Sequence, residues 1–198
     1  MKRGATKEEI IRITRELIAR NGIRAVRVDE IAQTLGISKR TLYEMFADKN
    51  DLVGACLDYM SHQQRERIVA CSKRRGGNSL QKVLKLANEY MDNLYTVDPR
   101  FLSDIRHKII FAEHYDEHRE FWHREITRWL EASRDEELLL PEIDAPAFAD
   151  RLMNTLYELR LTGTVREELY LFCRTILRGA ATRKGIELID RQIGRAHV

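Results

Sequence analysis

Hydrophobic positions recur at helical spacing along almost the whole chain, and no segment alternates apolar and polar residues for more than a few positions. In the first segment, Thr6 followed by Glu9 has the spacing of a capping box, and Gly22 supplies a C-terminal glycine. A helix is therefore predicted over residues 6–21, with these apolar residues on one side: Ile10, Ile13, Leu17 and Ile18. The pattern as a whole predicts an all-α chain of about nine or ten helices.

Capping residues set the predicted boundaries of the later helices. Asp48 precedes one helix, the Asp98-Pro99 pair precedes another, and Thr164 with Glu167 has the spacing of a second capping box. The predicted helices lie at about residues 28–35, 39–46, 48–74, 79–97, 99–110, 113–137, 146–162 and 165–183, with a short final helix or frayed tail at 185–195.

The first clear linker is Gly76-Gly77-Asn78. It divides the chain into a small three-helix head over residues 1–50, a connecting helix at about 48–74, and a helical-bundle body over 75–198. The connecting helix is expected to act as the lever between head and body.

The composition is that of a soluble globular protein. Of its 198 residues, 43% are hydrophobic and 33% charged, with only 3 prolines, which excludes disordered and low-complexity classes. No apolar run approaches the roughly 20 residues that span a bilayer, and the basic N-terminus lacks the apolar segment of a signal peptide. Cys56, Cys71 and Cys173 have no CxxC spacing, which fits buried or spare thiols in a reducing cytoplasm. We therefore expect a cytoplasmic protein.

Positive charge is concentrated at the N-terminal end. Residues 1–50 hold 11 Lys and Arg against 7 Asp and Glu, a net charge of +4, whereas the remainder holds 23 against 24, a net charge of −1. A basic quarter on a near-neutral body favours a polyanionic partner at one end. A solvated helix surface accounts for the same charge without a partner, so charge alone does not decide.

Residues 28–46 have the pattern of a helix-turn-helix, in which two short helices cross at an apolar contact. Ala32 is small enough for a close crossing, and Gly36 permits the tight turn. Leu42 and Phe46 fall on one side of the second helix, which leaves the other side free to enter a major groove. That other side carries polar residues: Arg40, Tyr43 and Glu44. A capped helical hairpin with a solvated face is the alternative interpretation.

The polar residues of this motif are of the types that contact DNA. Arg40 has a guanidinium fork that matches the two acceptors of a guanine edge, and Glu44 either accepts from cytosine N4 or points away. Ser38 and Lys39 fit phosphate oxygens, and Lys49 is placed to grip the flanking backbone. The predicted DNA contacts are Arg27, Val28, Ser38, Lys39, Arg40, Thr41, Tyr43, Glu44 and Lys49.

Residues 6–60 resemble the N-terminal domain of TetR/AcrR-type transcriptional regulators. The resemblance is carried by Asn21-Gly22, Asp29-Glu30-Ile31-Ala32, Leu35-Gly36-Ile37-Ser38-Lys39, Thr41-Leu42-Tyr43, Phe46 and Lys49. It implies an all-helical homodimer with one homeodomain-like, DNA-binding head per subunit and a small-molecule pocket in each body. It also implies repression at a palindromic operator on double-stranded DNA, relieved when the small molecule binds.

Three positions depart from the usual pattern of that family. Arg27 stands where Thr or Ser usually caps the second helix, and arginine cannot make that cap. Arg40 replaces a small residue, which suggests added base readout. Glu44 stands where His or Tyr is common.

The body is expected to carry dimerisation and ligand binding. Apolar stripes on the last two long helices either pack inside one subunit or form the four-helix interface that the resemblance favours. The predicted interface residues are Leu152, Met153, Leu156, Leu169, Phe172 and Ile176. Core packing or salt bridging is the simplest interpretation of the aromatic and basic residues, some of which we expect to line an effector pocket. The candidates are Tyr90, His107, Phe111, Phe121, Trp122, Trp129, Tyr157 and Arg160.

No feature of the sequence indicates catalysis, a cofactor or a metal. His114 and His118 have the i, i+4 spacing of two metal ligands, but neither an HExxH motif nor a cysteine partner accompanies them. No phosphate-binding glycine loop or GxSxG motif occurs. The predicted function is a ligand-responsive DNA-binding repressor. The alternatives are an activator of the same architecture and a helical ligand-binding or scaffold protein whose head binds another protein.

Overall fold

The computed structural model describes residues 5–73 and 76–195, without the side chains of 71–73 and 192–195. The side chain of Cys71 and the predicted helix end at Arg74 therefore lie outside what the structure describes. Over the described part the chain forms ten α-helices and one 3₁₀ turn, Ile109–Phe111. The helices are α1 Lys7–Asn21, α2 Val28–Leu35, α3 Lys39–Tyr43, α4 Lys49–Lys73, α5 Ser79–Tyr95, α6 Pro99–His107, α7 Ala112–Asp135, α8 Ala145–Leu161, α9 Arg166–Gly179 and α10 Arg183–Arg195.

The all-α prediction is confirmed over this part of the chain, where the only β-type pairing is an isolated bridge between Leu139 and Ala181. None of the described helices combines the length and apolar character needed to cross a bilayer.

Local capping sets the helix starts, as the sequence predicts. The Thr6 hydroxyl accepts a hydrogen bond from the backbone N–H of Glu9 (3.2 Å), and the Glu9 carboxylate accepts one from the N–H of Thr6 (2.9 Å). Asp98 caps α6, which has Pro99 in its first turn. Arg27 makes no side-chain cap on α2, as expected.

The boundary between the last two helices differs from the prediction because the loop between α7 and α8 forms hydrogen bonds with the chain there. The predicted single helix at 165–183 is broken after Gly179, and α10 begins at Arg183. Leu140 N–H donates to the carbonyl of Ala180 (3.0 Å), and Thr182 N–H donates to the carbonyl of Leu138 (3.1 Å). These bonds replace helical ones. The predicted Thr164 cap is also wrong, since Val165 occupies the N-cap position of α9 and its side chain makes no capping bond.

Two other helices end three residues earlier than predicted. α3 ends at Tyr43 rather than at residue 46, because Met45 N–H already turns to the carbonyl of Leu42 (3.1 Å), three residues back. α6 ends at His107 because Lys108 is extended, with φ −95° and ψ 114°, and the 3₁₀ turn follows.

The chain forms two compact units. One comprises the chain up to Arg67 together with Thr96–His118, and the other comprises Ile68–Tyr95 together with the chain from Arg119 onward. The segment containing α6 thus belongs with the N-terminal helices, whereas the sequence analysis assigned it to the body. Buried residues of the first unit include Ile10, Ile18, Ile31, Leu42, Leu52 and Phe111; those of the second include Leu80, Val83, Trp122, Leu130, Leu152 and Leu177.

Candidate nucleic-acid interface

The turn between α2 and α3 forms the predicted helix-turn-helix. Gly36 ends α2 in the left-handed conformation (φ 65°, ψ 30°), which glycine adopts without a Cβ clash. Ile31 and Leu42 are fully buried, and Ala32 and Phe46 almost fully. The apolar side of α3 is therefore anchored against its neighbours.

The opposite side of α3 is open to solvent. The Arg40 side chain is 89% exposed and that of Glu44, one turn further on, is 61% exposed. Tyr43 is 48% exposed, which is unusual for so large an apolar ring in this chain. The residues predicted from helical spacing to point outward are thus found together on one exposed surface, which we call the α3 face: Lys39, Arg40, Tyr43 and Glu44.

Polar contacts hold the α3 face in place. The Ser38 hydroxyl accepts from the N–H of Thr41 (3.1 Å) and lies 2.9 Å from the Thr41 hydroxyl. The Lys39 ammonium lies 2.5 Å from the carboxylate of Asp29 on α2. The Arg40 Nε donates to Glu44 Oε1 (3.1 Å). At the start of α2, Arg27 is exposed and Val28 half-buried.

Lys49 is placed differently from its predicted role at the DNA backbone. Its ammonium donates to the carbonyl of Ile23 (2.7 Å) and to that of Val26, both in the turn between α1 and α2. Desolvation lowers the pKa of Lys49, the nearby Lys108 lowers it further, and Asp104 opposes both effects. In this structure the side chain therefore serves the turn rather than an outside ligand.

Sequence analysis missed a polar contact that fixes the same turn. Asp104 of α6 is buried, and its carboxylate accepts from the backbone N–H of Arg24 (2.9 Å) and forms an ion pair with the Arg24 guanidinium, with Oδ1 3.0 Å from Nε. One signal was available, since Asp104 lies three residues after the buried Phe101 on the apolar side of α6. A carboxylate in that position needs a partner.

The candidate effector residues divide between the two units, with His107 and Phe111 in the first and the other six in the second. Tyr90 and Trp122 are buried and meet edge to face, with ring centroids 5.3 Å apart, and the Tyr90 hydroxyl donates to the carbonyl of Met153 (3.3 Å). Phe121 is buried against the Trp122 indole, with ring centroids 6.4 Å apart, and Tyr157 is buried as well. These four rings belong to the core of the second unit.

Three further candidates are Trp129, Arg160 and His107. Trp129 is half-buried, with the Lys82 ammonium 3.9 Å from its ring centroid. The Arg160 guanidinium stacks on Tyr95 at 4.3 Å. His107 belongs to the first unit and is exposed.

Phe111, the last candidate, lines an open cavity of about 440 Å³ within the first unit. Three carboxylates of α4 and its cap share the lining, Asp48, Asp51 and Asp58. His114 Nε2 lies 3.2 Å from Asp58 Oδ1. Asp48 also caps the start of α4, since its carboxylate accepts from the N–H of Asp51. The Asp51 carboxylate in turn accepts from the N–H of Ala47 in the preceding turn.

Most of the predicted dimer contacts are buried inside the single chain. α9 packs against α5 and α8 within the second unit, and this packing buries Leu152, Met153, Leu156 and Leu169. These four are therefore core residues that a partner cannot reach in this structure. Phe172 is half-buried, Ile176 is exposed, and Leu171, which the prediction omitted, is 64% exposed.

Comparison with known proteins supports the interpretation of the first unit. Residues 10–56 match the sequence model of bacterial regulatory proteins of the tetR family. No curated protein is similar enough in sequence to match the chain.

Solved structures share the fold of this chain over about nine tenths of its length. A protein from Saccharomonospora viridis, described as a transcriptional regulator and solved in complex with choline, is 19% identical, with a TM-score of 0.78 over 89% of this chain and 98% of its own. A TetR-family regulator from Agrobacterium tumefaciens is 18% identical, with a TM-score of 0.76 over 89% and 97%. The ketosteroid transcriptional regulator KstR2 of Mycobacterium tuberculosis is 16% identical, with a TM-score of 0.66 over 91% and 98%.

At these identities the structural similarity establishes the fold, and the sequence match over residues 10–56 establishes the kind of N-terminal domain. The chain therefore carries the N-terminal domain of the tetR family of bacterial regulatory proteins, on the all-helical fold of solved TetR-type regulators.

Proposed function

We propose that this protein is a transcriptional repressor that binds a palindromic operator as a homodimer and is released by a small molecule. The observation that carries the proposal is the α3 face, whose polar side chains are exposed while Leu42 behind them is fully buried. A short helix held in this way is the element that reads the major groove in helix-turn-helix proteins. Such a protein acts where the DNA lies, in the cytoplasm.

The chemistry of the α3 face suits duplex DNA. Lys39 and the hydroxyls of Thr41 and Tyr43 are donors for phosphate oxygens, which fix the register of a protein on the duplex. Arg40 offers donors for base edges. Neutralising phosphates releases counterions, so affinity should fall steeply as salt rises.

A second copy is needed to read a palindrome, and α9 offers a surface for it. Leu171 and Ile176 are exposed, and Phe172 and Thr175 lie between them around the helix. Exposed apolar side chains grouped on one helix face indicate a protein interface. A palindromic operator requires that the two α3 faces of such a dimer reach successive major grooves, roughly 34–36 Å apart on DNA.

Release by a small molecule requires that the molecule bind more tightly to the state that does not fit the operator. The regulator from Saccharomonospora viridis, solved with choline, is an example of this fold holding a small molecule. A search with candidate compounds would identify the effector of this chain.

The test is selection of duplexes from a randomised pool, followed by fluorescence anisotropy at several salt concentrations. We expect recovery of a palindromic sequence, weaker binding in the double variant Lys39→Ala, Tyr43→Ala, and unchanged binding in Lys85→Ala, which removes an exposed lysine of α5. Failure to select any duplex, with no salt-dependent affinity, would overturn the proposal and favour a protein partner for the first unit. Transcript levels after deletion of the gene then test the sign of regulation, which we expect to be repression.

A further inference from the structure

Arg40 and Glu44 form an ion pair on the α3 face. The Arg40 Nε donates to Glu44 Oε1 at 3.1 Å, across one helical turn. Both side chains are mostly exposed, and both lie opposite the buried Leu42. The pair therefore lies at the centre of the surface proposed to meet DNA.

Stability gives little reason for this pair. An exposed i, i+4 pair contributes only about 0.3–0.5 kcal/mol to a helix. A carboxylate at this position also repels the phosphates of an approaching duplex, which lowers the affinity for any DNA sequence. Any gain from Glu44 must therefore come from specificity, and the contact that the structure shows it making is the bond to Arg40.

In this structure Glu44 orients the Arg40 guanidinium. The bond uses Nε, so the two terminal nitrogens keep their outward N–H donors. Guanine presents two acceptors, O6 and N7, at the spacing of such a planar fork. Adenine presents an acceptor and the N6 amino donor, which would face another donor. A fixed fork in the major groove therefore prefers guanine.

We propose that Arg40 reads one guanine in each half of the operator and that Glu44 is the positioning residue that holds its guanidinium for this contact. The inference rests on the proposed function and adds the base that is read.

Substitution of Glu44 by glutamine separates this role from a structural one. The amide keeps the length of the side chain and one oxygen acceptor but loses the negative charge. Repulsion from phosphate then falls, so affinity for duplexes without the guanine should rise. The guanidinium is held less firmly, so discrimination in favour of guanine should fall. A residue that only supports the fold would lower both quantities.

The experiment measures dissociation constants for a selected operator, for the same duplex with adenine in place of the guanine, and for one with 7-deazaguanine, which lacks the N7 acceptor. The native protein should prefer guanine over adenine by roughly 5- to 140-fold, the equivalent of one bidentate contact. Arg40→Ala should lose that preference and the sensitivity to 7-deazaguanine. Glu44→Gln should bind the adenine duplex more tightly than the native protein while discriminating less.

Glu16→Gln is the matched control, because Arg12 and Glu16 of α1 form a pair of the same spacing and the same distance, 3.1 Å, away from the α3 face. It should change neither quantity, and circular dichroism should show native helix content in every variant. If the native protein selects duplexes but Arg40→Ala keeps the guanine preference, or if Glu44→Gln weakens binding to all duplexes equally, this inference is wrong and the proposed function stands. If the native protein selects no duplex, the proposed function itself fails.

Discussion

The carboxylate of Asp104 accepts a hydrogen bond from the backbone N–H of Arg24 and forms an ion pair with the Arg24 guanidinium, 3.0 Å from its Nε. The two residues lie 80 positions apart, in α6 and in the turn between α1 and α2. Close packing reinforces this contact, since a Cβ added to Gly22 would lie 3.0 Å from the Arg100 Cβ and 3.2 Å from Asp104 Oδ2. α6 is therefore part of what fixes the turn that leads into the helix-turn-helix.

Removing this carboxylate should destabilise the protein. Asp104→Ala removes the charged acceptor of a part-buried backbone hydrogen bond and an ion-pair partner of Arg24, which should cost about 1–3 kcal/mol of unfolding free energy. Asp104→Asn keeps one oxygen acceptor and should lose less. Urea denaturation followed by circular dichroism measures both. Asp116→Asn, at an exposed position of α7, is the control and should stay within about 0.5 kcal/mol of the native protein. Equal stability of Asp104→Ala and the control would contradict the assigned contact.

Lys49 is expected to act on stability rather than on DNA. Lys49→Met leaves the carbonyls of Ile23 and Val26 without this donor and should lower the unfolding free energy by about 1–3 kcal/mol. The slope of log affinity against log salt should stay unchanged. Lys39→Met should instead reduce the magnitude of that slope by about 1, the effect of losing one phosphate contact. A reduced slope in Lys49→Met would instead support the phosphate contact that the sequence predicts for Lys49.

These contacts mark the limit of what the sequence alone predicts. The starts of α1 and α6 were predictable because a cap is local, as with Thr6 and Glu9, or Asp98 and Pro99, although the same reasoning gave the wrong cap at Thr164. Helix ends were less so, because distant groups compete for the backbone. The break after Gly179 depends on Thr182 bonding to the carbonyl of Leu138, which no local pattern reveals.

The functional surfaces divide in the same way. The exposed side of α3 follows from helical spacing once Leu42 is taken as the anchor, so Arg40 and Tyr43 were placed correctly in the open. Spacing cannot tell a core aromatic from one that lines a cavity, and Tyr90 and Trp122 are both buried. Long flexible side chains are equally ambiguous, since the direction of Lys49 depends on a turn more than 20 residues away.

Burial should make two thiols unreactive. Desolvation raises the pKa of Cys56 and of Cys173 to about 12. At pH 8 only about one molecule in ten thousand then carries either thiolate, the reactive form. In the variant Cys71→Ser, iodoacetamide should modify these thiols slowly in buffer and rapidly in urea, as mass spectrometry would record. Rapid modification without denaturant would show that one of the two sites is open.

His118 should make the fold sensitive to mild acid. Its partly buried side chain donates through Nε2 to the amide oxygen of Gln64 (2.6 Å), and desolvation, with the charge of Arg65, lowers the pKa to about 4. The unfolded chain, with an ordinary histidine pKa near 6.5, binds the proton more readily. Stability from this residue is thus complete above pH 6.5 and is lost as pH falls toward 4, by about 1–2 kcal/mol at pH 5.

Comparison with His118→Gln isolates this effect from the carboxylates that also titrate in acid. Glutamine has no charge at any pH, so the variant should lose less unfolding free energy than the native protein between pH 7 and pH 5. Parallel losses in the two proteins would mean that His118 is protonated as easily in the fold as in the unfolded chain.

The apolar surface of α9 makes the assembly prediction specific. Ile176 is 38% exposed and Val69 of α4 is 41% exposed, so they are matched in apolar character and accessibility. If α9 forms the dimer interface, a glutamate at Ile176 would be buried against a partner without compensation, which is strongly unfavourable. Sedimentation should give the native protein twice the 23.3 kDa mass of one chain, and Val69→Glu should keep that mass. Ile176→Glu should sediment as a single chain and keep a native circular dichroism spectrum. Leu152→Ala differs from both because Leu152 is buried in the single chain, so it should cost about 2–5 kcal/mol of stability through the cavity it leaves. If Ile176→Glu still sediments as a dimer, the dimer interface does not lie on this surface of α9.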